Sequence, residues 1–245
     1  MRFASRACLV LGLLLLAAAA GFPSGDFESG DRVSGSGNVS TENRDVPSFT
    51  AIDLEGSGNV TFQQGPSRSV GVETDDNILR VVKTEVVGGV LHLGFKRGAR
   101  VDRMTRLEFT VAAPQVRSIT ISGSGNVRTA SPVRGETLTL DIRGSGSIDC
   151  AMDVKSLKAA IGGSGGITAQ GHADSLGVSI NGSGSVRARG LTSAFAEVQI
   201  SGSGSAAVNA TNTVDINVSG SGSVEYGGGA KASIRSSGSG SVREY

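Results

Sequence analysis

Tryptophan is absent from this chain of 245 residues, and tyrosine, histidine and cysteine occur only twice each. So few rings leave no stacking platform for nucleic acid, and a balance of 23 basic against 22 acidic residues leaves no basic stripe. Nucleic acid is therefore excluded as a partner. Two histidines, His92 and His172, do not by themselves supply the ligands of a histidine-based metal site. Cys8 lies in an apolar N-terminal stretch, so Cys150 has no partner for an internal disulfide. Apolar runs long enough to span a bilayer, about 20 residues, are lacking as well.

The first residues read as an address. Arg2 and Arg6 make a basic start, Cys8 to Ala19 an apolar stretch, and Ala18-Ala19-Ala20 a small-residue cleavage site. Residues 1–20 are thus expected to be a signal peptide, and the chain to be exported to the periplasm or the cell surface. Residues 21–32 read as a polar leader, and residues 33–245 as one domain.

Glycine, in contrast, is abundant, with 37 residues, and it is ordered. Gly-Ser-Gly followed by a variable and then an apolar residue occurs nine times, starting at Gly35, Gly56, Gly123, Gly144, Gly163, Gly182, Gly202, Gly220 and Gly238. From Gly123 the spacings are 21, 19, 19, 20, 18 and 18 residues, the length of one solenoid coil. Before each motif apolar residues alternate with polar ones, as in Leu157, Ala159, Ile161 or Leu176, Val178, Ile180 or Val198, Ile200. Period two marks a strand with one buried face. The same parity resumes after the motif, as in Ile148 and Cys150 or Val186 and Ala188, and it turns Cys150 inward. Linkers rich in Gly and Ser carry no such pattern. The expectation is all-β: a single right-handed parallel β-helix (β-solenoid) of ~18–22-residue coils with Gly-Ser-Gly corners, its hand following the rule for parallel crossovers. Glycine suits the corners because it reaches positive φ, and because stacked corners about 4.8 Å apart crowd anything larger.

Residues 62–118 are irregular. The second and third motifs stand 67 residues apart, about three coils of 22, so this stretch fits degenerate coils. Asp76–Val87 fits a short helix or a hairpin arm equally well, with Val87-Gly88-Gly89-Val90 as a turn. At the other end, Ser236 stands where regular coils carry Ile or Val, and Glu244 falls at an inward position. Charges and polar residues on a terminal strand discourage edge pairing, so this end is expected to cap itself.

Phe49-Thr50-Ala51-Ile52-Asp53-Leu54-Glu55-Gly56-Ser57-Gly58-Asn59-Val60, Asp75-Asp76-Asn77-Ile78-Leu79, Val90-Leu91-His92-Leu93 and Ile119-Thr120-Ile121-Ser122-Gly123-Ser124-Gly125-Asn126-Val127 together resemble the head GIN domain family of auto-transporter adhesins. The resemblance runs from about Val46 to Tyr245. It implies an exported, β-helix-like domain with no assigned activity and no assigned site residues. The auto-transporter label would add a C-terminal membrane barrel, whose ~10-residue alternating segments with aromatic girdles are not expected here.

Chemical motifs are weak. Gly162-Gly163-Ser164-Gly165-Gly166 fits G-x-S-x-G, but a strand rather than a helix is expected to follow, so Ser164 is not read as a nucleophile. The residue after each motif is Asn, Ser or Gly, never Asp, so no carboxylate column exists for calcium. No catalytic, cofactor-binding or metal residue is nominated. What remains is an outward strip of small polar residues: Ser122, Asn181, Ser201 and Ser219 in one column, Ser179, Gln199 and Asn217 beside it. The expected role is non-catalytic, structural or adhesin-like binding in the cell envelope, toward an envelope protein or a glycan. The alternative is a carbohydrate-active β-helix enzyme such as a polysaccharide lyase, which requires a cleft with clustered charges.

Overall fold

The computed structural model describes residues 32–245. The signal segment and all of the leader except Arg32 lie outside the described residues. The fold is a β-solenoid of about 7 turns of ~19 residues, without an α-helix among the described residues. Four strands, Ser147–Gly163, Gly166–Gly182, Ser185–Gly202 and Ser205–Gly220, each follow nearly a full turn. They pair in parallel, so that Ile142, Ile161, Ile180, Ile200 and Val218 form one column. Ile148, Ile167, Val186, Ala206 and Val224 form another. Every member of both columns is buried. At roughly 1.5–3 kcal/mol for each fully buried Val or Ile side chain, these columns are the main source of cohesion. Cys150 lies among them, and burial pushes its thiol up to about 12, which removes it as a nucleophile.

The corners explain both glycines, for different reasons. The first has positive φ in most regular coils, +134° at Gly182 and +123° at Gly202. The second is there for space: a β-carbon on Gly184 would stand 2.6 Å from Ile161 Cγ2 and 2.9 Å from the Gly165 carbonyl. The serine between them carries the ladder around the bend, its N–H donating to the first glycine of the preceding coil, as from Ser183 to the Gly163 oxygen at 3.0 Å.

The irregular stretch is not a run of degenerate coils. Gly56 pairs directly with Gly123, so the second and third motifs are stacked neighbours despite 67 intervening residues. Those residues leave for the N-terminal end and return. Val90–Phe95 and Glu108–Ala113 pair in parallel with the far side of Ala51–Gln64 and extend the stack by one turn. The rest is antiparallel: Val82–Val87 forms a hairpin with Val90–Phe95, and Ser69–Asp75 lies between Glu108–Ala113 and Val39–Arg44. Gly88 and Gly89, at φ +59° and +79°, make the tight turn that the sequence marks. The helix alternative shrinks to a single 3₁₀ turn, Leu79–Val81.

The first motif, at Gly35, is also off the stack. Arg32–Ser34 pairs with Arg100–Arg103 in a separate two-stranded sheet. Asp75 holds this segment: its fully buried carboxylate accepts from the Gly37 N–H at 2.8 Å, the Thr105 N–H at 2.7 Å and the Thr105 hydroxyl at 2.8 Å. The Thr105 amide foremost holds the Asp75 carboxyl below the ordinary aspartate range, against the opposing effect of burial.

At the opposite end, Lys231–Gly238 pairs on one edge only, with Ser205–Gly220, and all of its residues are exposed. Ser236 sits beside Val218 and Glu244 beside Tyr226, both in solvent, while Ile234 stays 46% exposed.

Candidate functional site

Six of the seven nominated strip residues come together. Asn181, Ser201 and Ser219 are in register on three successive coils, and Ser179, Gln199 and Asn217 are in register beside them. Ser122 is not part of this patch. It lies on Ser118–Gly123, near the N-terminal end of the stack, and donates its hydroxyl to Asp53 Oδ1 at 3.0 Å.

The patch continues into two further outward columns. Lys158, Gly177, Glu197 and Asp215 are in register, and so are Ser156, Ser175, Phe195 and Thr213. Phe195 is 51% exposed, on a chain whose other described phenylalanines are buried or half-buried. Its outward position was legible: it precedes the inward series Ala196, Val198, Ile200. Gly177 leaves a notch between Lys158 and Glu197, since a β-carbon there would meet only the Leu157 carbonyl, at 3.9 Å. The resulting depression, about 420 Å³, is floored by the sheet and edged by the Phe195 ring. Glu197 accepts a bond from Gln199 Nε2 at 2.7 Å. Lys158 and Asp215 have no ion-pair or hydrogen-bond partner among the described residues.

A slightly larger depression, about 500 Å³, lies on the face that follows the corners, edged by Arg187, Arg189 and Glu225. Most of its charge is already matched. Glu225 accepts from Arg243 and from Arg189, which together draw its carboxyl below the usual range. The Tyr245 ring covers the Arg189 guanidinium at 4.5 Å. The Phe195 depression, with its charges unmatched, has more to offer a ligand.

The serine of the G-x-S-x-G pattern has no base beside it among the described residues. Ser164 is exposed at a corner, its hydroxyl bonded to no side chain among the described residues, and a strand follows it. His172 pairs instead with Asp174, at 3.2 Å. His92 has richer company: Asp53 and Glu55 face it from the neighbouring coil, the one grouping among the described residues with three potential metal ligands. Counting histidines in the sequence could not reveal those carboxylates.

This chain belongs to the family described as "putative auto-transporter adhesin, head GIN domain", which matches residues 48–230. No curated protein matches it. Among solved structures, a "putative adhesin" from Bacteroides fragilis NCTC 9343 is similar at 23% identity and a TM-score of 0.82, over 87% of this chain and 100% of that one. A "putative adhesin" from Parabacteroides distasonis ATCC 8503 shares 28% identity with a TM-score of 0.71, over 88% of this chain and 100% of its own. A "putative lipid binding protein" from the same organism has the same fold, at 24% identity and a TM-score of 0.73, with coverage of 88% and 100%.

Proposed function

We propose that this protein is an exported, non-catalytic, adhesin-like binding protein of the cell envelope, and that it presents the sheet face around Phe195 to a glycan. The observation that carries the reading is an exposed ring beside an open notch, flanked by an unpartnered ammonium and an unpartnered carboxylate. The apolar face of a sugar ring stacks on an aromatic side chain, while hydroxyls of successive sugars along the glycan take hydrogen bonds from Lys158 and give them to Glu197 and Asp215. The Asn, Ser and Gln patch alongside offers further donors and acceptors over neighbouring coils. Membership of an adhesin family agrees with a binding role. No helix among the described residues is long and apolar enough to cross a membrane. The N-terminal sequence supports export.

The same face argues against a carbohydrate-active enzyme. Lys158 and Asp215 are three coils apart, roughly 14 Å at about 4.8 Å per coil, too far to act together on one bond. Glu197 and Asp215 are neighbours, but both are exposed on an open sheet, where nothing excludes water from a reacting centre.

A glycan array probed with the purified chain tests the reading. Binding is expected to a defined set of glycans and to fall at least tenfold in Phe195→Ala, with a smaller loss in Lys158→Ala. Equal binding by Phe195→Ala and the unaltered chain, or selective binding to protein or lipid alone, would overturn it.

A further inference from the structure

We infer that Asp53, Glu55 and His92 form a binding site for a divalent transition ion, with zinc as the ion the donors suit best. The three side chains project from paired strands of adjacent coils, Asp53 standing opposite His92. His92 Nδ1 lies 2.9 Å from Glu55 Oε1 and 3.7 Å from Asp53 Oδ2. Ligand atoms at 2.0–2.1 Å from a tetrahedral zinc are about 3.3 Å from each other, so these separations bracket the required spacing.

The other oxygen of each carboxylate is already held. Ser122 Oγ donates to Asp53 Oδ1 at 3.0 Å, and Lys83 Nζ donates to Glu55 Oε2 at 2.5 Å. Donors on the distal oxygens turn the proximal ones toward the histidine, as supporting groups around metal ligands do. They come from two further strands, Ser118–Gly123 and Val82–Val87, so the fold converges on this point from both sides. The charge available to the ion is two carboxylates less one ammonium. An imidazole with two carboxylate oxygens favours a borderline ion over calcium or magnesium, which seek six or more oxygens. Binding requires Nδ1 to give up any proton it shares with Glu55, the ring then carrying its proton on Nε2. A fourth position is left to water. The bound ion would link the Val90–Phe95 strand, and through it the terminal hairpin, to the coil below.

The test is titration of the full chain with zinc chloride alone in metal-free buffer, by calorimetry and by thermal melting. One ion per chain is expected to bind and to raise the melting temperature. His92→Gln should weaken binding at least tenfold and abolish the thermal shift, and Ser122→Ala should weaken it about tenfold as a supporting group. His172→Gln, at the other histidine, should change neither. Asp53→Asn repeats the test without altering the histidine, should His92→Gln disturb folding. Three outcomes would overturn the inference: no saturable binding, zinc binding unchanged in both His92→Gln and Asp53→Asn, or equal stabilisation by calcium.

Discussion

The repeating coils and the N-terminal end of this solenoid solve the same problem by opposite means. From Gly123 onward each coil covers the next with a copy of itself, and side chains stack on their own kind: isoleucine on isoleucine, glycine on glycine. At the N-terminal end there is no earlier copy to stack upon. Antiparallel strands close the stack there, and specific polar contacts fix them, Asp75 on Thr105 and Gly37, His92 and Lys83 on Glu55. A repeat can therefore be stabilised by shape alone, whereas a terminus needs chemistry that occurs once. Charges follow the same division. Buried side chains of the regular coils are uncharged, and apolar but for Ser193, whose hydroxyl donates to the Asn209 carbonyl at 3.0 Å; the one buried carboxylate among the described residues belongs to the closing end.

Substitutions can break this contrast, and the largest effect belongs to the stack. Ile180→Asp places a carboxylate between Ile161 and Ile200 with no partner and should cost several kcal/mol, enough to prevent a cooperative melt. Gly184→Ala comes next, at about 1–3 kcal/mol, because its β-carbon collides with Ile161 and with backbone. Calorimetric unfolding of both variants ranks them; a harmless alanine at position 184 would show that corners are not kept small by stacking.

Asp75→Asn should weaken the closing end alone. An amide cannot accept from all three donors, so hydrogen exchange should speed up in residues 32–44 and 100–106 while the coils beyond Gly163 keep their protection. The effect carries a pH signature. Asp75 has its native carboxyl below the unfolded value, so its contribution is complete above about pH 4 and is lost as the pH falls through the native value. The difference between the variant and the unaltered chain should close over that acidic range; a difference that persists unchanged below it would assign the effect to packing. The smallest expected change is Ser179→Asp, within about half a kcal/mol, since the residue faces outward. A melting shift equal to that of Ile180→Asp would invalidate the inward and outward assignment.

What the sequence reveals follows this division too. Residues such as Ile161, Val178 and Ile216 could be assigned to the core because their partners lie one repeat away, where the same pattern is visible. The hairpin turn at Gly88-Gly89 was also legible, being local. The pairing of Leu54 with both Leu93 and Ile121 was not. It joins segments in an order unlike that of the chain, and no periodicity records it. The meeting of His92 with Asp53 and Glu55 depends on that pairing and was hidden with it. Phe195 was hidden for a different reason: it departs from its own column, where its neighbours are Ser175 and Thr213, so no repeat marks it.

The in-register pairing of Gly163 with Gly182, and of Gly182 with Gly202, makes the length of this molecule a counted quantity. Removing Ser164 to Gly182 would bring Gly163 to the place Gly182 held, with every later strand still facing the right way. The rod would shorten by one step, about 4.8 Å, without a change of register. Duplicating the same segment would lengthen it by the same step and carry Phe195 that much farther from the closed end. Length can thus be adjusted in whole turns while the closing end stays as it is, but this particular coil carries Gly177, so its removal closes the notch beside Phe195 and its duplication widens it.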